Sequence, residues 1–170
     1  MRKKLFVYMT MIVAAMMLFG CSKDEESKDP AEVVKNLTST TWEGEVKELR
    51  RNGSNWEEGN QTHWAVIRFN AAGTSALNGT GYQLEFRNEN ISSSDNLTDK
   101  STFTWRLDGD LIRIIYDNRE WNSVYINFNA ASLSMSNFEG EMFDNENMKY
   151  KFYFKFRSTG FNDFANYFRL

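Results

Sequence analysis

The sequence predicts an all-β domain: an up-and-down antiparallel barrel of about eight strands, or a closely related sandwich, behind one short helix. Three observations predict it. Stretches of alternating apolar and polar residues recur at hairpin spacing, divided by turns rich in Gly, Asn and Asp. No gap between them holds the periodic helix of roughly a dozen residues that a parallel crossover needs. Pro30 is the only proline, and aromatic residues make up 15% of the chain, enough for a bulky interior.

The elements follow in order. Asp29-Pro30-Ala31-Glu32 reads as a helix start, with an N-cap, a proline in first position and an acid in third. Val33, Val34 and Leu37 form its apolar stripe, and the helix is expected to end near Asn36, since residues 38–41 favour strand. From Thr41 the period becomes two: Trp42, Gly44 and Val46 alternate with Glu43, Glu45 and Lys47. Residues 51–55 are a turn, and 62–70 a second strand carrying Trp64, Val66, Ile67 and Phe69. After a turn at 71–73, residues 74–77 and 81–86 read as two strand segments joined at Asn78-Gly79, and 88–101 as a polar loop. Residues 102–107 form a strand leading into Asp108-Gly109, a two-residue hairpin turn. Residues 110–116 are apolar on both faces, which predicts a strand covered on both sides. Asp117-Asn118 turns the chain, and strands at 123–128, 132–143 and 148–157 complete the set. In the last, Phe152, Phe154 and Phe156 oppose Lys151, Lys155 and Arg157. Phe161, Phe164 and Phe168 are spaced as on a helix, which predicts a short amphipathic tail that closes one barrel end or docks on a partner.

The first 20 residues differ from the rest. Arg2, Lys3 and Lys4 precede an uncharged run from Leu5 to Phe19, and Gly20 and Cys21 end it. The run is shorter than the roughly 20 residues of a membrane-spanning helix. Its layout is that of a secretory signal peptide. Cys21 is the only cysteine, so no disulfide forms within the chain. These features divide the chain into a signal at 1–20, a tether at 21–29 and one folded domain at 30–170. Cleavage before Cys21 removes Arg2, Lys3 and Lys4 and takes the net charge from −3 to −6. Nucleic acid is bound through clustered Lys and Arg, so such a domain is not expected to bind it. Residues 22–29 contain no apolar side chain and read as a solvated leash.

The junction Leu18-Phe19-Gly20-Cys21 resembles the lipobox of bacterial lipoproteins, with Phe19 in place of the usual small residue. The resemblance implies cleavage between Gly20 and Cys21 and lipidation of Cys21 by diacylglycerol and palmitate. Several acyl chains together anchor a protein stably, at about 0.8 kcal/mol per buried methylene. Lys23-Asp24-Glu25-Glu26 resembles the export signal of Bacteroidetes surface lipoproteins, which implies an outer-membrane location facing the cell exterior. The short helix, the Thr41-Trp42-Glu43-Gly44 strand and the run Phe103-Thr104-Trp105-Arg106-Leu107-Asp108-Gly109-Asp110-Leu111-Ile112-Arg113-Ile114 resemble the lipocalin-like lipoproteins of that group. That resemblance implies an eight-stranded barrel. Thr40 stands where lipocalins usually carry a glycine.

No motif carries catalysis. His63 is the only histidine, and no Ser lies in a Gly-x-Ser-x-Gly elbow. A lone His without a partner motif reads as structural or exposed. Glu43, Glu45, Glu57, Glu58 and Glu85 are acids by type, yet acids alternating along a strand usually form its solvated face. Asp108-Gly109-Asp110 and residues 144–147 read as turns rather than calcium loops, so neither a metal nor a cofactor is expected. Trp42, Trp64, Trp105 and Phe152 read as core or pocket lining. Trp56 lies in a polar loop among Asn55, Glu57 and Glu58, Trp121 lies beside a turn, and both read as candidate contacts for a ligand or partner. The expectation is a non-enzymatic module that binds a small apolar molecule, a glycan or a protein. The alternative is an accessory subunit of an outer-membrane complex, contacting it through Trp56 or the aromatic tail.

Overall fold

The structure is a computed structural model that describes residues 28–109, 111–117, 123–144 and 151–168. Helix α1 spans Pro30–Thr38. Eight strands follow among the described residues: β1 (Thr41–Asn52), β2 (Asn55–Ala71), β3 (Asn78–Phe86), β4 (Leu97–Asp108), β5 (Leu111–Tyr116), β6 (Ser123–Phe128), β7 (Asn137–Asp144) and β8 (Lys151–Thr159). Each pairs antiparallel with the next, and β8 returns to β1, so the sheet closes into a barrel rather than a sandwich. A five-residue helix α2, Phe164–Phe168, follows.

Local chemistry explains the elements that the sequence predicts well. The Asp29 carboxylate accepts from the Ala31 amide at 3.1 Å and caps α1. The helix runs two residues past Asn36, because the Thr38 hydroxyl donates to the Val34 carbonyl at 2.8 Å and keeps the last turn helical. Gly53 and Gly109 take φ of 63° and 62°, the left-handed conformation that tight hairpins require. Gly81 faces inward, and a Cβ there would collide with the Phe103 ring.

Several expectations are corrected. β2 begins at Asn55, because residues 55–58 continue the hairpin opposite 49–52 with Glu57 facing Arg50. Its polar composition hides a largely exposed strand, held by its ladder to β1 with the Asn52–Glu57 hydrogen bond and the Lys47–Glu58 ion pair across it. Residues 74–77 are a turn, closed by the Ala76 amide donating to the Gly73 carbonyl at 3.1 Å, so β3 is a single strand. The loop before β4 ends at a short 3-10 turn, Ser94–Asn96, and β4 starts at Leu97. β7 starts at Asn137, since residues 129–136 fold back through the Ser132 and Ser134 amides. β5 is not covered on both sides: Ile112 and Ile114 are buried, whereas Ile115 is 40% exposed. Residues 148–150, the expected start of β8, lie outside the described residues.

The interior fills from one end. Phe138 sits at the centre of an aromatic cluster, with ring centroids 4.9 Å from Phe154, 5.6 Å from Trp42 and 5.8 Å from Phe128. Phe69 joins it directly, 6.3 Å from Phe138, and extends it to Phe103 and Trp105 at 5.4 and 5.8 Å. Helix α1 covers this end: Val33, Val34 and Leu37 belong to the same buried cluster. The Trp42 indole donates to the Leu37 carbonyl at 2.8 Å and satisfies a free carbonyl of the helix end.

The tail does not close a barrel end. Phe161, Phe164, Tyr167 and Phe168 lie on the outer wall over Trp64, Val66, Tyr82, Leu84, Phe86 and Leu97. Lys100 fastens α2 there, donating to the Tyr167 carbonyl at 2.7 Å. This explains why β2 is apolar at successive positions. Ala65, Ile67 and Phe69 face the interior, while Trp64 and Val66 face the tail. Trp64 is therefore an outer-wall residue.

Candidate ligand-binding site

The end of the barrel opposite α1 holds a cavity of about 210 Å3. Its apolar wall includes Val46, Ala65, Val124, Met142, Phe152 and Phe156, and Gln61, His63, Gln83, Glu85, Tyr116 and Asp144 bring polar atoms into it. Strand alternation places each. His63 shares its face of β2 with Ala65 and Ile67, and β3 turns Gln83 and Glu85 inward while Leu84 and Phe86 pack beneath the tail. The Phe138 cluster forms the floor on the α1 side. A void of roughly 150 Å3 takes a benzene ring, so this one is large enough for a small organic molecule.

The polar groups form a directed chain. The Tyr116 hydroxyl donates to Gln83 Oε1 at 2.5 Å, and Gln83 Nε2 donates to Glu85 Oε1 at 2.9 Å. His63 Nε2 lies 3.9 Å from the same oxygen. The His63 ring meets Phe152 edge-on at 6.4 Å. Gln83 is 3% exposed, so its hydrogen bonds replace water it has lost. The site has the make-up of a small-molecule pocket: a mostly apolar wall with a few convergent polar groups.

The structure brings together residues that the sequence reading kept apart. His63 is neither isolated nor at the surface but faces Glu85 inside the barrel mouth. Glu85 is no part of a solvated face. The signal that finds them is parity, since His63 and Glu85 alternate with the outer-wall residues Trp64, Leu84 and Phe86. Of the other acids, Glu43 is buried at 8% exposure, Glu45 is half-buried, and Glu57 and Glu58 are exposed. Glu43 pairs with Arg157 at 2.9 Å, Glu45 and Glu58 approach Lys47 at 3.5 and 3.7 Å, and Glu57 accepts from Asn52 at 3.0 Å.

Trp56 is not in a polar loop. It is a β2 residue, half-buried, with the Lys151 ammonium 5.4 Å from its ring centroid. Lys151 in turn pairs with Glu141 at 2.8 Å. Trp42 and Trp105 are core residues, and Phe152 lines the cavity. Trp121, Gly20, Cys21 and the Lys23-Asp24-Glu25-Glu26 motif lie outside the described residues. Among the described residues no three His, Cys, Asp or Glu side chains converge as a metal site, and no helix is long and apolar enough to cross a membrane. No family model and no curated protein sequence matches the chain.

Proposed function

We propose that the chain is a lipid-anchored, surface-exposed lipoprotein of the lipocalin-like type. In this reading the barrel is a non-enzymatic module that takes up a small molecule at its open end. The cavity is the observation that carries the binding function. A barrel whose only task is structural gains stability by filling its interior, yet here one half is filled with aromatic rings and the other is left hollow around a hydrogen-bonded polar row. The address rests on the sequence before residue 28. Contact with a partner through the tail or Trp56 is less favoured, because the tail aromatics are spent on the chain's own wall and Trp56 lies beside Lys151.

Native mass spectrometry of protein purified from its source tests the binding function. A bound small molecule of constant mass is expected, and a consistently empty protein overturns it. Radiolabelled fatty acid incorporated by the wild type and lost in Cys21→Ala supports the anchor. Protease shaving of intact cells tests the outward location: a domain degraded only after the outer membrane is opened would rule it out.

A further inference from the structure

We propose that the outer wall of the barrel carries a second binding site, a groove that takes an acidic sugar by its carboxylate. The groove, of about 470 Å3, runs between the junction of α1 with β1 and the start of the tail. None of the described residues that line it lines the cavity, so the proposal does not depend on the cavity.

A row of outward side chains carries the inference. Register sets Thr159, Thr41, Arg68 and Tyr82 side by side across β8, β1, β2 and β3. All four line the groove. Alternation turns them away from the interior, since Trp42, Ile67 and Phe69 face the core. Among the described residues that line the groove, Arg68 is the one charged group. Its Nε donates to Asn70 Oδ1 at 3.5 Å, a neutral oxygen at the limit of hydrogen-bond reach. Among the described residues it forms no ion pair. A guanidinium offers five donors in a planar fork that matches a carboxylate, so most of that capacity is open. Thr41 is 5% exposed, yet its hydroxyl makes no hydrogen bond among the described residues, and neither does the Tyr82 hydroxyl. So deep a hydroxyl as that of Thr41 has given up most of its water without a protein partner, and a bound oxyanion supplies one.

Acids at neighbouring positions are engaged elsewhere. Glu43, two residues along β1, is held by Arg157 at 2.9 and 3.0 Å. Asp163 in the tail accepts from the Asn166 amide. Asp117 accepts at 2.5 Å from the hydroxyl of Thr102, the β4 partner of Tyr82. None of them pairs with Arg68.

The groove is larger than a lone anion needs, and the rest of its lining suits a sugar ring. Ser39, Thr40 and Asn162 bring hydroxyl and amide groups to it. Phe161, half-buried with its ring centroid 5.2 Å from that of Phe164, gives it an apolar side wall. Polar groups around one apolar wall match a ring with hydroxyls at its edge and C–H groups on its face.

NMR titration of the full-length protein with D-glucuronate, D-glucose and acetate separates acid on sugar, sugar without acid and acid without sugar. Glucuronate is expected to bind about tenfold tighter than either of the others, as for one hydrogen bond to a charged group. Its shifts should centre on the amides of Thr41, Arg68 and Tyr82. Arg68→Gln should bring glucuronate and glucose to within about twofold. Tyr82→Phe keeps the ring beneath the tail and should weaken glucuronate about threefold. Circular dichroism checks that the variants fold. If Arg68→Gln does not, raising the salt concentration on the wild type serves instead and should weaken glucuronate while leaving glucose unchanged. Glucose or acetate bound as tightly as glucuronate, a preference that survives Arg68→Gln or high salt, shifts centred on His63 and Gln83, or a wild type that binds none of the three overturns the proposal. The cavity is tested separately, by the native mass of the protein from its source.

Discussion

At the α1 end of the barrel, Phe138 meets Trp42, Phe69, Phe128, Phe154 and Phe156, and Leu37 seals the stack from above. At the other end the same strands present His63, Gln83, Glu85 and Tyr116 around a hollow. The two ends share one sheet, so it is side-chain chemistry that makes one of them a packed core and the other a polar-lined cavity. Aromatic rings in edge contact leave no room for water, and each adds packing energy beyond the area it buries. A polar row can leave water only if its hydrogen bonds are met within the protein, as Tyr116, Gln83 and Glu85 meet theirs with one another beside the cavity. The difference is a division along the barrel axis, with dense aromatic packing at the helix end and a polar-lined cavity where packing is incomplete.

The sharpest way to break this comparison is to cut the same atoms from both ends. Phe138→Ala should lower unfolding free energy by about 3–5 kcal/mol, since the side chain is fully buried among rings. Phe152→Ala, half-buried beside the existing cavity, should lose clearly less, and urea titration of both variants measures the difference. Equal losses would mean that the open end is packed as firmly as the other. Leu37→Ala comes next, at about 2–4 kcal/mol, because the leucine has no exposed surface and holds α1 over the core. Tyr116→Phe is expected to change stability by about 1 kcal/mol, the loss of one neutral hydrogen bond to Gln83, while altering ligand affinity more than Leu37→Ala does.

The smallest effect lies on the outer wall. Burial raises the Tyr153 hydroxyl above its usual pKa, and the Glu139 carboxylate beside it adds to the rise. The neutral phenol is therefore favoured in the folded state. Its stabilising effect is complete below the unfolded value near 10 and is lost as pH rises through the folded value. Tyr153→Phe should remove a shallow decline in thermal stability above pH 10, and an unchanged profile would show that this residue does not contribute to it.

Much of the architecture was legible because it rests on local chemistry. The Asp29 cap, the Asp108-Gly109 hairpin, and the alternation in 123–128 and 151–157 depend on residues within a few positions of each other. What was misread depends on distant chain. Residues 64–67 are apolar at every position, and no local rule tells which pair faces the core when the tail, about a hundred residues later in the chain, supplies a second one. The polar start of β2 looked like loop because its strand character comes from pairing with β1. The site was hidden for the same reason. His63 and Glu85 lie 22 positions apart and meet only when β2 and β3 align in register.

The sequence by itself determined an all-β chain, its helix cap, most of its turns and the alternation that makes strands amphipathic, because hydrogen-bond geometry and side-chain period act over short distances. It also carries the lipobox-like junction at Cys21, which is a pattern of neighbours. Only the tertiary structure decided that the sheet closes, that α1 rather than the tail covers the barrel end, and that a polar row converges on a cavity. Those outcomes are choices of register and of which apolar surface covers which. They minimise exposed area over the whole chain, and no short window contains the information.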